Sequence, residues 1–185
     1  MDKAEARQRI ANLVAHWRSL TPSQIHQDYQ EANTRKDFIR PLFDALGWNT
    51  ALADEVFEEH RAANGAVDYA FRIRGVSRFY LEAKALRAEL SSNSEWVKQA
   101  VTYAYSRGVP WVVLTNFKEL WAFGGDVRAQ RFLTLSAERY VEDFDLLWLL
   151  SKEAVEAGLL KQGAARYGAF PPKISIERRL YDQLS

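Results

Sequence analysis

Glu82 and Lys84 stand two residues apart in the segment RFYLEAKAL, residues 78–86, and Asp68 stands in the preceding segment VDYAFRI, residues 67–73. On a β-strand, residues i and i+2 share a face. Phe79, Leu81, Ala83 and Ala85 therefore take one face, and Tyr80, Glu82 and Lys84 the other. By the same rule Val67, Tyr69, Phe71 and Ile73 share a face and Asp68 turns to the other. If the two strands pair through a turn at Gly75, Asp68 and Glu82 come close although they are 14 positions apart. Two carboxylates with an ammonium beside them suit a hard cation and an activated water. The triplet alone carries little information. Glu82-Ala83-Lys84 is the only acid-any-lysine triplet in the chain, and about one is expected by chance in a sequence with 24 acids. Taken by itself it favours the solvated Glu–Lys face of an exposed sheet.

The elements that must hold these residues follow from hydrophobic period. Ile10, Leu13, Val14, Trp17 and Leu20 recur at helical spacing, which predicts an amphipathic helix over residues 3–20, broken by Thr21-Pro22-Ser23. A second helix is expected over residues 35–46, with Thr34 as N-cap, Gly47 as the stop, and a kink or opened first turns at Pro41. The period then changes to two. Residues 55–61, 67–74 and 78–86 read as three strands of an antiparallel meander, with turns at Asn64-Gly65 and Gly75-Val76-Ser77. Residues 93–107 return to helical period and stop at Gly108. The continuous apolar run at residues 111–115 marks a strand buried on both faces. Strands at 119–123 and 131–135 and helices across 141–160 follow, then a linker from Gly163 to Pro172. The final KISIERRLYDQLS reads as a helix with Ile176, Leu180 and Leu184 on one face and no stop signal. The expected architecture is an α/β domain with a central mixed sheet flanked by helices and a helical C-terminal appendage. The expected division is residues 1–162 for the domain with its helical extension and 163–185 for the linker and connector helix.

Composition narrows the function classes. The 185 residues suffice for one domain with a substantial core, and 48% hydrophobic with 26% charged residues is ordinary for a folded soluble protein. Without cysteine there is neither a disulfide framework nor a cysteine-ligated zinc site. The three histidines, His16, His26 and His60, are scattered and read as ordinary core or surface residues. No segment has the length of a membrane span or the apolar run of a signal peptide, so a cytoplasmic protein is expected. A net charge of +1 argues against tight DNA binding by this domain alone. It leaves open a catalytic module that a partner delivers.

Over residues 20–125 the chain resembles the PD-(D/E)xK nuclease superfamily, and within it the amino-terminal nuclease domains of fused type II restriction–modification enzymes and of type I restriction motor subunits. Glu31-Ala-Asn-Thr34 before the helix RKDFIRPLFDALGW matches the family's opening. Val67-Asp68 stands at the first aspartate, with valine in place of proline, and Leu81-Glu82-Ala83-Lys84 matches the second motif. Gln99 and Tyr103 match the Gln-x-x-x-Tyr pattern of one large branch. Their i, i+4 spacing puts them beside Trp96 and Ala100 on one helix face.

The resemblance implies a metal-dependent endonuclease that hydrolyses phosphodiester bonds of double-stranded DNA within a restriction–modification enzyme. Asp68, Glu82 and the Ala83 carbonyl would bind Mg²⁺, with Mn²⁺ as substitute, and Lys84 would position or deprotonate the attacking water. Gln99 and Tyr103 would fix Lys84 and the phosphate, and Glu31 either reaches the metal site or helps an N-cap. Tyr80, Arg72 and Arg87 read as strand-edge surface. Methyltransferase and target-recognition domains would be further parts of the same protein, since no Asn-Pro-Pro-Tyr motif occurs here. Three alternatives stay open. They are a nuclease-fold binding module with a decayed site, a type I motor subunit's nuclease domain, and a repair nuclease.

Overall fold

The computed structural model describes residues 2–59 and 67–169. The expected Asn64-Gly65 turn, the end of the first strand and the helix of the last 13 residues lie outside the described residues.

Among the described residues, six strands form one mixed sheet in chain order: β1 (Val56–Glu58), β2 (Tyr69–Ile73), β3 (Val76–Ala83), β4 (Trp111–Thr115), β5 (Glu119–Gly124) and β6 (Arg131–Ser136). Only β3 and β4 run parallel, because helix α5 (Glu95–Arg107) intervenes as the crossover a parallel pair needs. Every other neighbour is antiparallel. The β2–β3 turn is tighter than the expected Gly75-Val76-Ser77. Arg74 and Gly75 alone connect Ile73 to its partner Val76, with φ of 52° and 77°. Two residues at positive φ match the right-handed twist of a hairpin. The central strands of the sheet are β3 and β4, so Asp68 precedes a strand one place off centre.

Alternation splits the buried side chains between two cores. Phe71, Phe79, Leu81, Ala83 and Val113 face helices α1 (Lys3–Ser19) and α4 (Arg40–Ala45). Ala70, Tyr80, Val112 and Leu114 face α5 through Ala100, Val101 and Ala104. β4 is therefore buried along its whole length, as its apolar run requires. The C-terminal helices expected as an appendage join the first core: Leu147, Leu150, Ala154, Leu160 and Ala164 are all buried there. The indole of Trp48 ties them down by donating to the Leu150 carbonyl at 2.9 Å. The last described helix, Leu159–Arg166, also runs through Gly163, where a linker was expected. No helix of the described residues is long and apolar enough to cross a membrane.

The N-terminal half holds two further departures. The first helix breaks after Ser19, as expected, but an unexpected helix, α2 (Pro22–Asp28), follows at once, because Thr21 and Gln24 close a reciprocal capping box around a proline at the helix start. The next helix begins at Glu31 (α3, Glu31–Thr34), so Thr34 lies inside it and is no N-cap. A π-helical stretch, Arg35–Ile39, then joins α3 to α4. Pro41 accounts for it: the ring has no N–H and crowds the carbonyl four residues back, and a wider turn relieves the clash. The kink expected at Pro41 takes this form.

Candidate active site

Asp68, Glu82 and Lys84 converge where β3 and β4 end and β2 begins. Asp68 sits in a bend before β2, yet its backbone still joins the ladder: its N–H donates to the Leu81 carbonyl at 3.0 Å, and its carbonyl accepts from Glu59 at 2.9 Å. The bend breaks the strand alternation. Val67 turns to the α5 core and Tyr69 to the opposite one, although both were expected on one face. The Asp68 side chain is 3% exposed and uses both oxygens: Oδ2 accepts the Ala83 N–H at 2.7 Å, and Oδ1 accepts from the Arg35 guanidinium at 3.0 Å. The backbone amide therefore fixes the carboxylate against β3.

Glu82 lies on the last turn of the β3 pleat, on the Tyr80 side, as alternation requires. Lys84 follows the strand's end, where its N–H still donates to the Thr115 carbonyl at 2.9 Å. Its ammonium donates to Glu82 Oε1 at 2.5 Å, with the two side chains only 11% and 12% exposed. A solvated surface pair would leave both ends in water, so that reading of the triplet falls. Burial pushes the Glu82 carboxyl up, the nearby Asp68 charge pushes it further, and Lys84 only partly offsets both, leaving it at about 7. Glu31 adds to the upward push from α3, which places its charge within electrostatic reach of the site.

Among the described residues, no three of Asp, Glu, His and Cys converge as a set of metal ligands. What stands there is the buried carboxylate of Asp68 and the largely buried one of Glu82, with a third at longer range. In kind the donors fit a hard divalent cation: they are all oxygens, each with lone pairs beyond its present bond, and their mutual repulsion is what such a cation relieves.

The second group of expected residues is arranged differently. Gln99 is exposed on α5, and no hydrogen bond among the described residues engages its amide or links it to Lys84. Tyr103 packs its ring against Tyr80 at 5.2 Å and under the Arg107 guanidinium at 5.2 Å. Tyr80, expected at the surface, is 5% exposed beneath α5, and burial raises its phenol to about 12. The contact with Lys84 is made instead by Trp96, whose ring lies 4.9 Å from the ammonium.

Sequence reading missed two contacts. The spacing put Trp96 one turn before Ala100 on the α5 face that packs on the sheet, but not against Lys84. Arg35 carries no such local signal, because its partner is 33 residues away. Thr34 also acts at a distance: its hydroxyl accepts the Leu86 N–H at 2.9 Å and pins the chain just after Lys84.

Fold and site together define an α/β domain with a buried acid–acid–lysine cluster at the ends of its strands. Among known proteins the chain is similar to the type II restriction enzyme and methyltransferase RM.Eco57I of Escherichia coli, with 28% identity over 131 residues. The match covers 64% of this chain and 13% of the length of that protein. No family model matches, and no solved structure matches.

Proposed function

We propose that this domain is the DNA-cleaving module of a restriction–modification enzyme, a metal-dependent endonuclease of PD-(D/E)xK type. The observation that carries the reading is the burial of Asp68 and Glu82 side by side, with Lys84 bonded to Glu82, in a fold that has no packing need for three charges there. The similarity to a restriction enzyme and methyltransferase supports the same class and leaves room for methylation and target-recognition domains elsewhere in the protein.

Asp68, Glu82 and the Ala83 carbonyl would hold Mg²⁺, or Mn²⁺ in its place. The bound ion would supply Lewis acidity, lowering the pKa of a water and offsetting charge on the phosphate. Each protein group has its own part. Asp68, fixed by the Ala83 amide, presents Oδ1 in a constant direction. Glu82 must be ionised to act as a ligand, so its high pKa makes metal uptake compete with a proton near neutrality. Lys84 orients the attacking water and brings positive charge to the reacting phosphate. Trp96 and Glu82 hold that ammonium in place, and Gln99 offers its amide to the DNA backbone from the exposed face of α5.

Calorimetric titration with Mn²⁺ at pH 8 tests the reading. Wild-type protein is expected to take up the ion and Asp68→Asn to lose most of that uptake. A wild-type chain that binds no Mn²⁺ is instead a nuclease-fold interaction module.

A further inference from the structure

Asp68 Oδ1 already has a cationic partner. The Arg35 guanidinium lies 3.0 Å from it, while the other oxygen, Oδ2, is committed to the Ala83 amide at 2.7 Å. A divalent ion that binds Asp68 through Oδ1, the oxygen without a backbone bond, must therefore share or take the oxygen that Arg35 holds. Arg35 has a second acceptor within reach, because Glu58 Oε1 stands 3.9 Å from the same Nη1. Glu58 is on β1 with its side chain 52% exposed, so Arg35 lies between a buried acid and a solvated one. The Tyr69 ring lies 5.9 Å from the guanidinium carbon. The π-helical stretch that Arg35 opens presents this side chain to the site.

Resting on the nuclease reading above, we propose that Arg35 is the resident counter-ion of the metal site. A divalent ion displaces its guanidinium from Asp68 towards Glu58, and Arg35 thereby sets the affinity for metal. The charge balance explains why such a group belongs there. Without metal, Asp68 and Glu82 repel each other in a poorly hydrated site, and a buried unpaired carboxylate is costly. Arg35 covers Asp68 in that state. With metal bound, the guanidinium would add a like charge beside the dication, and it has an exposed carboxylate to turn to. Arg35 is in this sense a positioning residue: it acts through Asp68.

The consequence runs against the ordinary effect of losing a supporting contact. If Arg35 merely buttressed Asp68, its removal would loosen the ligand and weaken metal binding. As a competitor, its removal strengthens it. Mn²⁺ titration by calorimetry is expected to give an apparent Kd at least about tenfold lower for Arg35→Met than for wild type, the size of effect a charge-assisted bond to a buried carboxylate carries. Glu58→Gln, a change at an exposed residue that leaves the fold intact, is expected to raise the Kd about two- to fivefold, because the displaced guanidinium loses its acceptor. A Kd for Arg35→Met that is unchanged or higher overturns the proposal, as does a Glu58→Gln Kd equal to wild type should Arg35→Met fail to fold. Failure of the underlying reading looks different: neither wild type nor Arg35→Met takes up Mn²⁺ at all.

Discussion

Glu82 is buried beside Asp68, and a proton on its carboxyl relieves the repulsion between them. Its pKa rises from 4.5 to about 7 in the folded chain, so between those values the native state binds more protons than the unfolded one. Stability therefore falls as pH rises through that window, and the full penalty is present above it. Glu82→Gln removes the penalty. At pH 8 without divalent ions this substitution is expected to stabilise by on the order of 2–3 kcal/mol and raise Tm by roughly 5–10 °C. At pH 4 the two proteins should melt together. An equal Tm difference at both pH values would mean that the gain comes from packing. The pairing of Glu82 with Lys84 was legible in the sequence, because period-two alternation aligns the two and turns both away from Leu81 and Ala83. Their contacts were not. Arg35 and Trp96 reach the site from helices whose approach depends on the closed sheet, and no spacing within a strand reports that.

At the scale of elements, the order of strands and the α5 crossover were readable because each has a strong period and a clear stop, such as Gly108 in the left-handed conformation with φ 68°. The departures come from interactions that the period does not encode. A capping box started α2 directly after the expected break, and Pro41 widened a helix into a π turn upstream of itself. Thr34, expected to cap a helix, instead joins two elements: it donates to the Gln30 carbonyl at 3.0 Å within its helix and accepts from Leu86 across the core. Thr34→Val would leave the buried Leu86 amide without an acceptor, at a cost of about 1–3 kcal/mol. Thermal melting should show the loss. Hydrogen exchange should show it locally, as faster exchange at Leu86 with β4 unchanged. If the Leu86 amide stays as protected as before, the Thr34 bond does not hold the segment that follows Lys84.

The whole molecule is nearly neutral, at +1 over 185 residues, so counterion release gives it little drive towards DNA. The isolated domain is expected to bind labelled duplexes of unrelated sequence alike, no tighter than the roughly 10⁻⁴ to 10⁻⁶ M typical of non-specific complexes. A nanomolar complex with one sequence would show that the domain carries its own reader. The similarity of the chain spans 13% of the length of a restriction enzyme and methyltransferase. The nuclease reading is tested most directly by plasmid cleavage with the full-length protein, comparing wild type with Asp68→Ala and Lys84→Ala in Mg²⁺, Mn²⁺, Ca²⁺ and EDTA. Cutting by wild type in Mg²⁺ and Mn²⁺ only, with each variant at least about a hundredfold slower, is the predicted result, in keeping with the loss of one electrostatic group at a reacting centre. Cleavage that survives EDTA, or a Lys84→Ala protein that cuts at the wild-type rate, would contradict it.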